Sequence, residues 1–327
     1  MKTGIVFSAV VAGTVLASGA AAAQRTLNER VATSPTGTVE VHNVAGSVRV
    51  SAWDRNEVQV TGSLGRGAER LELDEQGGGR VVVRVVLPRN AHNVRGSDLE
   101  VRVPARKSVT VRAVSADVEV SGVSGAVNAQ SVSGKVDVSG SPSDVSAQSR
   151  SGNVVLDVES GHAEANSTSG GVTVRGRIRG AVEVASVSGN VNVAASTGEV
   201  KASSVSGGVH VAAMTGRAEV SSVSGNIRLT GRRIAGNFHT VSGEIVVRGD
   251  LASGGTTSLQ SHSGGVELYL GSGADLEVTT FSGEILNEVN ARLVRSNASR
   301  REQHLVVGGG GPRVTVRTFS GDVKLAR

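Results

Sequence analysis

Cysteine is absent from this 327-residue chain. Its absence excludes disulfides, iron–sulfur clusters, thiolate zinc sites, a thiol nucleophile and a lipidated cysteine. Exported proteins often staple small cores with disulfides, so a chain without them needs a long continuous core instead. Aromatic residues are nearly absent too: Phe7, Trp53, Phe238, Tyr269, Phe281 and Phe319 are the whole set. The bulk of the core must then come from valine and other small aliphatics. Neither charge sign dominates, with 34 Lys and Arg against 29 Asp and Glu, a formal +5. That excess is far from the dense basic stripe with interleaved aromatics that nucleic-acid readers show, so no specific nucleic-acid partner is expected. It suits acidic polysaccharide, lipopolysaccharide or another envelope component as partner. Beyond the N-terminal leader no apolar run is long enough to span a membrane, so no transmembrane span is expected after cleavage. The 44 glycines and few aromatics would fit a disordered chain, but a strict valine alternation speaks against that.

The leader comprises residues 1–23. Lys2 supplies a positive start, Gly4 to Ala17 a short apolar stretch, and Ala21-Ala22-Ala23 a small-residue cleavage site. This pattern predicts a secretory signal peptide cut before Gln24 and a product exported to the periplasm or cell surface of a bacterium.

What the chain has in quantity is one returning phrase. It reads SVSGKVDV at 131–138, SVSGNVNV at 186–193, SVSGGVHV at 204–211, SVSGNIRL at 222–229 and TVSGEIVV at 240–247. Its glycines, Gly134, Gly152, Gly170, Gly189, Gly207, Gly225 and Gly243, step by 18 or 19 residues, and a last copy, TFSGDVKL, closes the chain at 318–325. A fixed short period predicts a parallel β-solenoid of 18-residue coils, each burying its apolar face only against its neighbours. In SVSGNVNV, Val187, Gly189, Val191 and Val193 share a parity and are expected inward, with Ser186, Ser188, Asn190 and Asn192 outward. The phase shifts between Thr197 and Val200, as a corner requires, so each coil should supply two short strands, one per face of a flattened cylinder. Equivalent residues then pile into ladders. One runs Val132, Arg150, Thr168, Val187, Val205, Val223, Val241, His262, Phe281, Phe319, and its growing bulk suggests a filled C-terminal end.

In chain order, residues 24–113 form an irregular N-terminal β section and cap. They include a hairpin turning at Gly77-Gly78-Gly79, and Trp53 as a cap over the open end of the core. Regular coils occupy 114–286. An insertion with a short helix and a closing coil fill 287–327.

Candidate chemistry is sparse. The position two places after each recurring glycine, where a calcium-binding β-roll needs aspartate, holds Val136, Val191, Val209, Ile227, Ile245 and Val266. The acidic residues Asp137, Asp157, Glu183, Glu199, Glu219, Glu244 and Glu284 read as scattered over different ladders, without the paired carboxylates of a glycosidase. The seven histidines have no ligand-pair spacing, and no serine has a His–Asp partner. No catalytic residue, metal or cofactor is expected. One basic feature stands out: Arg175, Arg177 and Arg179 lie three coils before Arg232 and Arg233, with Lys201 and Arg217 between. They are expected to form an anion-binding strip for acidic glycans or lipid headgroups.

The exported leader, WDRNEVQV at 53–60, DLEVRVP at 98–104 and the SVSGxVxV coils ending in TFSGDVKL together resemble the bacterial putative-adhesin family of β-strand-repeat proteins, a domain of unknown function. The resemblance covers residues 36–326. It implies a β-solenoid at the bacterial envelope or surface and supplies no catalytic residues. The expected function is an adhesin-like, non-catalytic binding and structural module. The alternatives are an envelope-stress sensor or regulator that binds peptides or lipids, and a carbohydrate-active enzyme on a β-helix.

Overall fold

The computed structural model describes residues 25–89, 95–297, 299 and 301–327. The proposed signal peptide and its cleavage point, like His92, lie outside the described residues. The described chain is all β, with 27 strands joined into one hydrogen-bonded system, most of it parallel. Among the described residues no helix is long and apolar enough to cross a membrane.

The repeats form two broad faces. Strands such as Val136–Gly140, Val154–Ser160, Val172–Ile178 and Val191–Ser196 stack on the first. Val127–Ser131, Asp144–Ser149, His162–Ser167, Ala181–Ser186 and Glu199–Ser204 stack on the second. Registers step by one repeat: Val127 pairs with Val145, Val154 with Val172, Val191 with Val209 and Val209 with Ile227. These valines and isoleucines are all buried; those of the first face, with Val118, Val136, Ile245, Val266 and Val323, stack into one dry spine that faces the ladder of Val127 and Val145. Valine suits it because a β-branched side chain packs on a pleated face at little further entropy cost. At the corner between the faces nearest Gly161, Gly180 and Gly198, the buried Ser160, Ile178, Thr197, Met214, Ile234 and Leu251 fill the fold. The phase shift between Thr197 and Val200 falls there, as expected.

The opposite corner, at each SVSG phrase, departs from the parity read off the sequence. Ser186 is buried and Val187 is 45% exposed, the reverse of the expectation. Hydrogen bonding explains the inversion. The Ser186 hydroxyl donates to the Gly170 carbonyl one coil back (2.9 Å) and accepts from the Gly189 N–H three residues on (2.9 Å). The same double bond recurs at Ser131, Ser149, Ser167, Ser204, Ser222, Thr240 and Ser261. A serine turned outward would leave these turn groups unpaired, so the hydroxyl goes in and the following side chain is thrown out. Gly189 is required by close approach: a Cβ there would lie 2.1 Å from the Gly170 carbonyl oxygen.

Both ends are built out of sequence order. The strand Thr38–Trp53 pairs with Ser108–Ser121 on one edge and with Val81–Val86 and Ser97–Pro104 on the other. The hairpin Arg70–Glu75 to Val81–Val86 turns through Gly77, Gly78 and Gly79, all at positive φ, as expected. Trp53 does not cap an open core. It is half-buried beside a turn, its Nε1 donating to the Glu57 carbonyl (2.9 Å) with the Arg55 guanidinium 5.3 Å from its ring. At the other end the last strands do not come last. Arg313–Thr318 inserts between Thr256–Ser261 and Ala274–Thr280, and Val323–Ala326 between Val266–Leu270 and Ile285–Asn287. The expected short helix in 287–312 is instead an antiparallel hairpin, Arg292–Ser296 with Glu302–Val307. Leu305 and Val307 alternate inward there, at a period of two that a helix cannot use. The hairpin covers the outer edge of Ala274–Thr280, which would otherwise be an open template.

Candidate functional site

The inverted corner makes the most distinctive surface of the molecule. Because the serine or threonine of each phrase turns in (Ala113 holds that place in the first coil), the residue after it projects outward. In spatial order the row is Val114, Val132, Arg150, Thr168, Val187, Val205, Val223, Val241, His262, Phe319 and Phe281. Its valines are 37–47% exposed, Phe319 47% and Phe281 59%. The phenylalanines therefore do not fill the C-terminal end. They stack outside it, His262 to Phe319 at 4.9 Å between centroids and Phe319 to Phe281 at 4.7 Å, with the Arg301 guanidinium 5.9 Å from the Phe281 ring.

Beside this ridge, on the second face, runs an uncharged, mostly polar row, Gln130, Gln148, Asn166, Ala185, Ser203 and Ser221, with Arg112 before it and His239, Gln260, Arg317 and Thr279 after. The low middle of this row and the ridge enclose a shallow groove of about 930 Å³ running across many coils. On the other flank lies a row of exposed serines, from Ser115 and Ser133 to Ser320 and Ser282. At the N-terminal end of the polar row, burial and then the Arg84 and Arg112 guanidiniums push the His42 imidazole below its usual range. Nearby, a hydrogen bond from Arg80 holds the Glu40 carboxyl below the ordinary carboxylate value.

The seven basic residues singled out in the sequence do not make one strip. Arg177, Arg179, Arg232 and Arg233 are exposed near the Gly161–Gly216 corner, with Arg217 where the chain passes to the second face. Arg175 lies on the first face with Asp157 as its register partner. Lys201 belongs to the second face, between Glu183 and Glu219 in register, and its Nζ is 3.9 Å from Glu183. The two-residue alternation that placed these side chains outward could not say which of two faces they share.

The acidic residues are also less scattered than the sequence suggested. Glu164, Glu183 and Glu219 fall in one outward ladder with Lys201, and Glu119 pairs with Asp137 in another. Glu164 accepts from the Ser146 hydroxyl (3.0 Å) and the Asn166 amide (2.8 Å). With Asn166 and Ser203 this ladder lines a shallow, open depression of about 280 Å³ on the second face. Among the described residues no three His, Asp or Glu side chains converge on a point that could hold a metal ion.

A solenoid that carries an exposed apolar ridge and groove along one corner is a scaffold for an extended surface. The chain matches the family described as Toastrack DUF4097 over residues 36–221 and 212–326. It belongs to that family, which bears out the resemblance drawn from its motifs. Solved structures similar to it include a putative adhesin from Bacteroides fragilis (10% identity, TM-score 0.41, covering 93% of this chain and 98% of that one). Others are a putative adhesin from Parabacteroides merdae (11%, 0.37, 93% and 97%) and a putative lipid binding protein from Parabacteroides distasonis (13%, 0.35, 92% and 97%). No curated protein matches the chain.

Proposed function

We propose that the protein is an exported, non-catalytic binding module of the bacterial envelope or surface, adhesin-like in role, that holds its partner along the SVSG corner. One observation carries this reading. The ridge from Val114 to Phe281 keeps six valines and two phenylalanines in water, interrupted by Arg150, Thr168 and His262, on a scaffold whose hydrogen bonds already pair each coil with the next. Contiguous exposed apolar surface of this kind marks an interaction site. The reading includes export by the residue 1–23 leader. The same ridge favours, as a second reading, a sensor of peptides or lipids in envelope stress, because a purely polar ligand would gain nothing from the valines.

The test is an array of envelope glycans and lipids probed with the wild-type protein and with Val205→Asp/Val223→Asp, accompanied by a sugar-release assay. Retention that the double variant loses supports the reading. Retention untouched by it refutes a binding role for this corner, and sugar release by the wild type refutes the non-catalytic reading.

A further inference from the structure

We propose that the partner of this corner is the surface of an anionic lipid bilayer, with the ridge lying along the membrane and its apolar side chains in the headgroup–acyl boundary. The inference rests on the binding-module reading and names what that module binds.

Charge is the first ground. The chain has 29 Asp and Glu. None falls in the ridge, in the polar row from Arg112 to Thr279 or in the exposed serine row; at the C-terminal edge Glu302 is the register partner of Thr279 and closes the band. Carboxylates begin immediately beyond: Glu164, Glu183 and Glu219 one position further onto the second face, and Asp117, Glu244 and Asp322 past the serines and glycines. The charged side chains inside the band are cationic, from Arg112, Arg150 and Arg317. An apolar line flanked by uncharged and basic residues, with acids held back on both sides, is the charge pattern of an interfacial element facing anionic headgroups. From Val114 to Phe281 the ridge spans ten coil steps, about 48 Å at strand spacing.

Hydrogen bonding and ring geometry decide against other partners. A peptide adding as a strand needs free main-chain groups. Here the serine-row N–H groups already donate to the ridge carbonyls of the neighbouring coil, as from Ser206 to Val187 and Ser224 to Val205, both 2.9 Å. A polysaccharide would be expected to stack sugar rings on open aromatic faces. Phe319 spends both faces on His262 and Phe281, so this part of the ridge offers mainly ring edges.

The experiment is vesicle flotation of the purified protein with phosphatidylcholine alone and with phosphatidylcholine containing phosphatidylglycerol, at low and high salt. Soluble acidic polysaccharide binding is measured in parallel. Wild type should float with the anionic vesicles and far less with the neutral ones, and added salt should weaken it. Val187→Ser/Val205→Ser/Val223→Ser should reduce partition by about a hundredfold, as lost buried methyls demand. This variant should fold, because Thr168 already occupies the row in the wild type; circular dichroism checks that. Arg150→Glu/Arg317→Glu should cost at least about tenfold at low salt and flatten the salt dependence. Wild-type protein that ignores both vesicles, or a serine variant that floats like wild type, overturns the proposal. If vesicles are ignored while polysaccharide is bound and the ridge variants lose it, the lipid assignment falls and the binding-module reading stands. If neither is bound and the array is also blank, both fall.

Discussion

Ser204 offers the sharpest test of how the corner is held. Its hydroxyl donates to the Gly189 carbonyl (3.1 Å) and accepts from the Gly207 N–H (2.9 Å), and the residue is buried. In Ser204→Ala both backbone groups lose that partner at once. The space vacated by one oxygen is well below the roughly 30 Å³ that a water molecule occupies, so solvent cannot take over in place. Leaving the buried Gly207 N–H unpaired costs about 1–3 kcal/mol, and the half-buried Gly189 carbonyl adds a smaller share, for a total of about 2–3 kcal/mol. Against the 5–15 kcal/mol that is typical of folded domains, such a loss is large. The assay is urea unfolding of wild type, Ser204→Ala and the control Ser206→Ala, whose exposed side chain two residues away should matter by no more than about 0.5 kcal/mol. A coil stack transmits stability only between neighbours, so the central lesion should also broaden or split the transition. If Ser204→Ala shifts the midpoint no more than Ser206→Ala, the inward hydroxyl is not what turns this corner.

Gly207→Ala should be at least as damaging, about 3 kcal/mol, because its Cβ would lie 2.0 Å from the Gly189 carbonyl oxygen; a soluble variant with a wild-type melting temperature would refute this. Lys107 is fully buried, its Nζ donating to the Thr36 carbonyl (3.0 Å) and to that of Gly79, and burial pulls its pKa below 10.5. The native state then binds fewer protons than the unfolded chain between the lowered value and 10.5, so wild type should gain stability relative to Lys107→Met as pH rises through that window. A stability difference between the two that stays flat as pH rises towards 10.5 would refute that depression. Reversing Arg177, Arg179, Arg232 and Arg233 to Glu should weaken retention on an anionic polysaccharide column, and unchanged elution would remove any anion-binding role for that corner.

Much of the architecture was legible because a solenoid repeats its instructions. The step between glycines is the register offset seen in the pairing of Val154 with Val172 and of Val191 with Val209. The phase slip between Thr197 and Val200 marked a real corner. The site was half legible: the series from Val132 to Phe319 was visible as a ladder, but its exposure was not. Period-two counting runs straight through SVSG as if it were strand, and so assigned Ser186 outward and Val187 inward.

Composition and periodicity by themselves determined a cysteine-free, valine-packed stack of parallel coils, since those properties are local and recur in every repeat. Tertiary structure alone decided which way the corner serine points, because its partner is a carbonyl one coil back that no local pattern specifies. It also decided that Phe319 lies between His262 and Phe281, because the closing strand pairs on both its edges rather than leaving one open. The acid-free band follows from both decisions: residues far apart in sequence form a continuous surface only once the coils are stacked and the corner is turned.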